Sequence, residues 1–230
     1  MTALPVSKIV AVGRNYADHA REMGATPAAI AQGAAEPILF LKPPSALVAC
    51  GRGETVDVEL PSFSRMIHHE VELVLQIGRR ARRIAASDAD SVIAAVTVGL
   101  DLTARDLQAA ARKAGDPWCV AKGFDQSAPI GPLVALREVG DVAALGRLTL
   151  SLAVNGTQRQ RGSTADLLTP IPELVAFISS RFTLEPGDLL FTGTPAGVGP
   201  LVAGDLADAR LTTADGRELA ALSIRCRAFS

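Results

Sequence analysis

The chain has 230 residues, of which 48% are hydrophobic and 20% charged, so it is a globular protein too apolar for intrinsic disorder. Its formal net charge of −1 provides no field that would favour nucleic acid. No segment reaches the about 18 apolar residues that span a bilayer, and no secretory signal precedes the first strand. Three cysteines without metal-binding spacing indicate reduced thiols, so we expect a cytoplasmic protein.

The first fifty residues predict a strand, a helix and an irregular connection. Residues 8–12 form a short apolar strand that ends at a glycine. Asn15 can cap a helix that runs to about Met23. Residues 25–35 are small and alanine-rich, which indicates a mobile connection or a marginal helix. The β-forming run over 37–48 contains two consecutive prolines, so it can only be an edge strand or a loop.

The middle of the chain alternates between strands and helices. Thr103 is predicted to cap a helix that ends near Gly115, with Asp106 as the acidic partner of a capping box. The predicted elements before that helix are strands over 56–60 and 69–77, a helix over 89–95 and a strand over 96–101.

Strands outnumber helices in the second half. A strand leads to Asn155-Gly156, a dipeptide typical of a type I′ hairpin, and helices are predicted over 164–168 and 171–180. A strand, a glycine-rich turn and a final pair of strands follow. There is no internal repeat, and the chain length suits one structural domain. The only division we predict is an N-terminal arm, residues 1–50, against a β-rich core, residues 51–230.

Two glutamates interrupt an apolar strand in the stretch "HHEVELVLQIG", residues 68–78. Residues two apart share a face of a strand, so His69 and Val71 lie on an apolar face, while His68, Glu70 and Glu72 lie on the other. Neighbouring carboxylates repel each other unless water or a cation relieves them. The strand alone therefore leaves two interpretations open, a solvated face or a metal site, and the role of His68 is undecided.

Asp101 favours the metal interpretation because it ends the next apolar strand, where side chains become available to a site. Three carboxylates would form an oxygen-only shell, which selects magnesium, manganese or calcium over zinc. The sequence alone does not place Asp101 beside Glu70.

Acid–base candidates lie on either side of these carboxylates. His19 and Glu22 are three positions apart on the first predicted helix, which suits either a general base with its orienting carboxylate or a surface ion pair. Lys122 lies in the apolar run "CVAKGF" and either reaches solvent or offers a cation to a substrate. The glycines of "FTGTPAGVGP", residues 191–200, permit either a plain turn or backbone N–H groups close to an anion.

The order of these motifs resembles the fumarylacetoacetate hydrolase family. The matching segments run from about residue 8 to the C-terminus, and each is weak alone but specific in this order. They are "VGRNYADHAREMG", "EPILFLKPPSALV", "HHEVELVLQIG", "LDLTARDLQ", "KAGDPWCVAKGFDQSAPIGP", "VNGTQRQ" and "GDLLFTGTPAGVGP".

The resemblance implies an α+β, β-rich fold, a mixed β-roll with short flanking helices, and a homodimer. It implies Mg²⁺ or Mn²⁺ held by Glu70, Glu72 and Asp101. Its site residues would be catalytic His19, Glu22 and Lys122, with substrate contacts from Arg105, Gln108 and Thr194. The His–Glu pair would belong to a lid within the N-terminal arm, with residues 15–35 closing over the ligand.

The implied activity is a metal-dependent hydrolase that cleaves a carbon–carbon bond of a 2,4-dioxo acid, of the acylpyruvate or fumarylpyruvate type, to pyruvate and a carboxylic acid. An alternative on the same site is decarboxylation or keto–enol tautomerisation of oxaloacetate. A third, of another class, is a non-catalytic domain that binds a small molecule. The expected partner is a small 2-oxo acid, with neither nucleic acid nor membrane.

Overall fold

Strands dominate the computed structural model, which describes residues 5–22 and 36–229. The strands are β1 (Ile9–Gly13), β2 (Ile38–Lys42), β3 (Leu47–Ala49), β4 (Val56–Leu60), β5 (Ile67–His69), β6 (Val71–Ile77), β7 (Ile93–Leu100), β8 (Thr103–Ala104), β9 (Ala128–Ile130), β10 (Val134–Ala135), β11 (Thr149–Val154), β12 (Thr157–Ser163), β13 (Leu189–Phe191), β14 (Gly199–Leu201), β15 (Leu206–Thr212) and β16 (Glu218–Ala228).

Helices are few and short. The α-helices are α1 (Ala17–Glu22), α2 (Arg105–Ala114), α3 (Cys119–Lys122), α4 (Leu136–Val139) and α5 (Ile171–Arg181). Four 3₁₀ helices accompany them, at Pro44–Ala46, Ala86–Ser91, Ala144–Arg147 and Thr164–Asp166. Within the described ranges, no helix is long and apolar enough to cross a bilayer.

The largest sheet is mixed, with the order β2-β1-β13-β6-β7-β9-β3, and β10 also pairs with β7. β1 runs parallel to β13 and antiparallel to β2. β6 lies between β13 and β7 and runs antiparallel to both. β1, β2 and β3 lie in the predicted N-terminal arm, yet all three pair within this sheet. The division of the chain at residue 50 remains a prediction.

Two smaller sheets complete the fold, ordered β12-β11-β15-β16-β4 and β14-β5-β8. The β11–β12 hairpin turns at Asn155 and Gly156, whose φ angles of 50° and 76° confirm the predicted turn, since a type I′ turn requires positive φ at both central positions. The mixed, curled sheets with few helices confirm the predicted β-rich α+β class and β-roll.

Apolar side chains cover both faces of the largest sheet. Alternate residues of β1 and β6 divide between two clusters, with Val10 and Leu73 in the larger and Ile9 and Val74 in the smaller. The larger cluster also takes in the inner face of the five-stranded sheet, through Leu150, Leu211 and Leu222 among others. Every residue of β6 is buried, so a carboxylate on this strand has no solvated face.

The predicted strand over 69–77 is wrong at its start, because the chain passes from one sheet to another at Glu70. β5 pairs with β8 and β14, whereas β6 pairs with β7 and β13. Glu70 itself lies between the two strands, and its carbonyl accepts the N–H of Asp101 at 2.9 Å. Strand propensity alone does not register this change of partners.

Three helix predictions also need correction. The helix predicted over 89–95 is instead the end of a 3₁₀ helix, after which β7 begins at Ile93 in register with Ile77. Asn15 does not cap α1, because its side chain bonds Thr169 and Thr192, which lie far along the chain.

Thr103 lies in β8 and does not cap α2, whose N-cap is Ala104 without a side-chain bond. Asp106 accepts instead from Ser64 Oγ at 2.6 Å and from the N–H of Arg65 at 3.0 Å. Long-range partners thus replace the predicted local caps. The helix predicted over 171–180 is confirmed by α5.

Candidate metal and acid–base site

Three carboxylates meet where the chain passes from the three-stranded sheet into the largest sheet. Glu70 lies between β5 and β6, Glu72 is the second residue of β6, and Asp101 follows β7. One oxygen from each lies within 4.8 Å of the others, and all three side chains are buried. The β6–β7 register, which pairs Glu72 with Gly99, brings Asp101 to this position. The structure therefore joins the three residues that the sequence could not place together.

Two cations hold the outer oxygens of this cluster. Lys122 Nζ lies 2.8 Å from Glu70 Oε2, 2.6 Å from Asp101 Oδ2 and 2.7 Å from Thr103 Oγ1. An ammonium has three N–H donors, so these contacts engage all of them in this geometry. Arg105 donates to the other oxygen of Glu70 and, at 2.5 Å, to Gln108 Oε1. Lys122 is therefore placed to position carboxylates, while its catalytic role remains a prediction.

Lys42 is a third buried cation, which the sequence analysis did not single out. Its Nζ lies 2.8 Å from Asp101 Oδ1 and donates to the carbonyl oxygens of Ser127 at 2.9 Å and Leu102 at 3.3 Å, and also to that of Lys122. Asp101 Oδ1 has no hydrogen-bond partner among the described residues, so this contact counts as an ion pair. The sequence signal was weak, because a lysine at the end of an apolar strand usually reaches solvent.

The three carboxylates differ in their preference for protons. Burial opposes ionisation of Glu70, but Lys122 and Arg105 outweigh it and lower the pKa of its carboxyl group. Burial raises the pKa of Glu72 well above its usual range, and the charges of Asp101 and Glu70 add to the effect. Glu72 accepts the N–H of Gly193 at 2.7 Å, a neutral donor that does not offset this repulsion.

This donor set fits a divalent metal ion. Its atoms are carboxylate oxygens, which are the ligands that Mg²⁺ and Mn²⁺ prefer, and no histidine or cysteine of the described residues joins the group. A divalent ion would relieve the repulsion that raises the pKa of Glu72. The geometry thus supports the interpretation of "HHEVELVLQIG" as part of a metal site. It excludes the alternative that Glu70 and Glu72 lie on a strand face exposed to solvent.

The acid–base pair lies beside the carboxylates. His19 is buried in α1, its Nδ1 lies 3.5 Å from Glu22 Oε2, and both histidine and carboxylates line the same pocket. Burial lowers the pKa of His19 and the charge of Glu70 opposes this effect, but Arg105 and Lys122 lower the pKa further, which favours the neutral imidazole. A neutral imidazole beside a carboxylate is the form that a general base requires. The rest of the predicted lid, residues 23–35, lies outside the described residues.

The glycine-rich segment after β13 supplies backbone donors to carboxylates of the protein itself. The N–H of Gly193 bonds Glu72, and the N–H of Gly197 bonds Glu22 Oε1 at 3.0 Å. Gly193 has a φ of 108°, and a Cβ there would come within 2.8 Å of the Cβ of Asn15, so only glycine fits. Both open interpretations of this segment apply, since it is a turn whose N–H groups meet anions.

Gln160, in β12 of the five-stranded sheet, connects the passage from β5 to β6 with the glycine-rich segment after β13. Its Oε1 accepts from His69 Nδ1 at 2.9 Å and from the N–H of Val71 at 3.1 Å. Its Nε2 donates to Thr194 Oγ1 and to the carbonyl of Pro195, both at 2.8 Å. The sequence analysis missed Gln160, because an exposed-looking strand gave no signal that one glutamine points inward.

One pocket gathers the predicted site residues that the structure describes, Asp101 and Glu22 excepted. Its lining residues are Val12, Gly13, Arg14, His19, Phe40, Glu70, Glu72, Arg105, Gln108, Arg112, Trp118, Lys122 and Thr194. His68 is absent from this lining and from the carboxylate group. Its role remains undecided, although burial lowers its pKa to about 4 and so keeps it neutral.

Comparison with known families assigns the chain. The family model described as fumarylacetoacetate (FAA) hydrolase C-terminal matches residues 8–223. The chain belongs to this family. The resemblance stated from the sequence motifs is therefore confirmed, and the family's named members are enzymes.

Relatives of known name act on small oxo acids. The chain is 46% identical to the oxaloacetate tautomerase YcgM of Escherichia coli, over 87% of this chain and 86% of that protein. It is 40% identical to the mitochondrial oxaloacetate decarboxylase of Dictyostelium discoideum, over 90% of each. The fumarylpyruvate hydrolase of Pseudomonas aeruginosa, solved with Mn²⁺ and pyruvate, matches with a TM-score of 0.89 at 40% identity, over 98% of this chain and 91% of that one.

Proposed function

We propose that this chain enolises a small 2-oxo acid, and that its reaction is keto–enol tautomerisation of oxaloacetate. The observation that carries the proposal is a buried, neutral His19 facing the same pocket as a carboxylate group suited to a divalent ion. Tautomerisation requires only that a proton leave carbon and return to oxygen, and one base with an orienting carboxylate can perform both transfers. The name of the Escherichia coli relative agrees with this choice.

His19 would take the proton from the carbon next to the 2-oxo group, and Glu22 would hold the imidazole ring in the required orientation. Glu70, Glu72 and Asp101 would hold the ion, Mg²⁺ or Mn²⁺. When bound, that ion supplies a Lewis acid that polarises the 2-oxo group. Arg105 and Gln108 would contact the substrate's first carboxylate together with Thr194, since all three line the pocket.

A second candidate is hydrolysis of an acylpyruvate or fumarylpyruvate, which the sequence analysis ranked first. The solved fumarylpyruvate hydrolase favours it, and His19 with Glu22 could equally well remove a proton from water. Decarboxylation of oxaloacetate is a third use of the same enolising step, and the Dictyostelium relative carries that name.

We also propose that the protein is a cytoplasmic homodimer. Exposed aromatic side chains support the dimer, since Phe63 and Phe229 are 53% and 61% exposed and line one groove with Phe124. Light scattering tests the dimer by a mass twice the 23.9 kDa of one chain.

An assay of three substrates with Mg²⁺ and with a chelator tests the proposed function. We expect the wild-type protein to tautomerise oxaloacetate, followed by the ultraviolet absorbance of the enol, at a higher rate than it cleaves acetylpyruvate or fumarylpyruvate. His19→Ala should lower the preferred rate about 100-fold or more, the range of general acid–base catalysis. Arg21→Ala, which removes an exposed side chain from the same helix, is the control and should leave the rate unchanged.

Faster cleavage of fumarylpyruvate than tautomerisation would move the function to hydrolysis. Turnover of none of the three substrates, with no metal bound, would instead establish the non-catalytic alternative.

A further inference from the structure

Two arginines line the pocket without a role in the site described above. Arg14 follows β1, and Arg112 lies in the last turn of α2. Both line the pocket that contains His19 and the carboxylates. Neither residue was singled out from the sequence.

Their positions follow from the two elements that carry them. Arg105, Gln108 and Arg112 are spaced i, i+3 and i+7 on α2, so they share one face of the helix, and all three line the pocket. Arg14 has a φ of 61°, a left-handed conformation that is uncommon for arginine. The next residue, Asn15, holds the backbone there through bonds to Thr169 and Thr192.

The charge of Arg14 pairs with no acidic side chain of the described residues. All 24 acidic side chains lie among the residues that the structure describes, and none of them pairs with Arg14, whose side chain makes no hydrogen bond within that part. Burial lowers the pKa of Arg14, and the charge of Arg112 lowers it further, which places the two guanidinium groups close enough to repel. Strain and repulsion at one pocket wall indicate a site that an anion completes.

The pocket also has an apolar part. Phe40 and Trp118 supply it, with ring centroids 5.9 Å apart. Among the carboxylates of the site, Glu70 pairs with Lys122 and Arg105, and Asp101 pairs with Lys122 and Lys42. Arg105 and Arg112 are seven residues apart on α2, about 10 Å along the helix axis. The pocket therefore presents cations at two places, which suits a short ligand that is anionic at both ends.

We propose that Arg14 and Arg112 form a second anion subsite, which binds the distal carboxylate of a dicarboxylic 2-oxo acid. This inference rests on the proposed function and narrows its substrate class. Oxaloacetate and fumarylpyruvate carry the second carboxylate that this subsite would bind, whereas acetylpyruvate lacks it.

A matched pair of ligands tests the subsite. Oxaloacetate and 2-oxobutyrate share the 2-oxo acid end. At the other end, oxaloacetate has a carboxylate where 2-oxobutyrate has a methyl group. Trp118 is the only tryptophan and lines the pocket, so its fluorescence reports binding of either ligand and does not depend on product formation. The variants are Arg112→Gln and Arg14→Gln, and Lys113→Gln removes a neighbouring charge from α2 outside the pocket as the control.

With Mg²⁺ present, wild type should bind oxaloacetate at least about tenfold tighter than 2-oxobutyrate, as expected for a charge-assisted hydrogen bond. Each arginine variant should weaken oxaloacetate binding by about tenfold and change 2-oxobutyrate binding less than twofold. Lys113→Gln should change neither.

Equal losses for both ligands, or no loss for oxaloacetate in Arg112→Gln, would overturn the subsite while leaving the proposed function intact. Failure of wild type to bind either ligand would overturn the proposed function itself, and the subsite with it. Arg112 is exposed, so its substitution tests the subsite even if Arg14→Gln does not fold.

Discussion

Lys42 shows how one side chain can support a site that it does not line. It is fully buried, and its ammonium contacts Asp101 together with the carbonyl oxygens of three residues. Burial lowers the pKa of Lys42, while the charge of Asp101 opposes that effect. A buried charge of this kind is costly unless it is fully paired. Removal of Lys42 takes the ion-pair partner from Asp101 Oδ1 and the ammonium donor from three buried carbonyl oxygens.

Lys42→Met should therefore destabilise the protein by about 3 to 5 kcal/mol, since it breaks a buried ion pair while nearly preserving side-chain volume. Urea denaturation followed by circular dichroism measures the change. Lys113→Met, at an exposed position of α2, is the control and should alter stability by less than about 0.5 kcal/mol. A loss below about 1 kcal/mol for Lys42→Met would show that water replaces the missing ammonium.

At the residue scale, the sequence predicted contacts between residues that are close in the chain, and it missed contacts between residues that are far apart in the chain. His19 and Glu22 are close in sequence, and helix periodicity placed them together. Glu70 and Glu72 are also close in sequence and lie in one carboxylate group, although the strand that was predicted to carry both begins only at Val71. Lys42 and Gln160 act on residues 59 or more positions away or on another sheet, and no periodicity reports such partners. The capping interpretations of Asn15 and Thr103 were wrong for the same reason, since distant partners bind those side chains.

At the scale of elements, the passage from β5 to β6 sets the direction of Glu70. A continuous strand would leave Glu70 and Glu72 on one face with their charges side by side. The break gives Glu70 cationic partners in Lys122 and Arg105, while Glu72 receives the N–H of Gly193. The order of the motifs indicated the family and the site residues, but only the sheet pairing shows this division of partners.

Gln160 fixes that passage, so its loss should affect both stability and activity. Gln160→Leu should destabilise the protein by about 2 to 4 kcal/mol, because the N–H of Val71 and the carbonyl of Pro195 lose their partners in a buried place. It should also lower kcat for the preferred substrate. Thermal denaturation and initial rates measure the two effects.

Gln158→Leu is the matched control, since it makes the same change at an exposed position of β12. Unchanged activity in a destabilised Gln160→Leu protein would contradict a positioning role and leave only a structural one.

At the scale of the whole molecule, a bound ion should stabilise the fold by mass action. Mg²⁺ at about 100 times its dissociation constant contributes about 2.7 kcal/mol, or a rise in Tm of about 5 to 10 °C for a chain of this size. Because the pKa of Glu72 is raised in the folded state, its ionisation opposes folding at neutral pH. The Glu72→Gln protein should therefore be at least as stable as wild type in a chelator, yet gain nothing from Mg²⁺.

Differential scanning fluorimetry with Mg²⁺ and with a chelator checks this prediction. Glu173→Gln, an exposed carboxylate on α5, is the control and should keep the full Mg²⁺ response. An equal rise in Tm for Glu72→Gln would show that the ion binds elsewhere.

The pairing of β1 with β13 has a consequence for synthesis of the chain. Ile9 lies opposite Leu189, so a central strand of the largest sheet meets its parallel neighbour only after 189 residues have been made. Until then the apolar β1 has no partner on that side, and the nascent chain cannot enclose its carboxylates. We therefore expect the proposed metal site to form only after nearly the whole chain has left the ribosome.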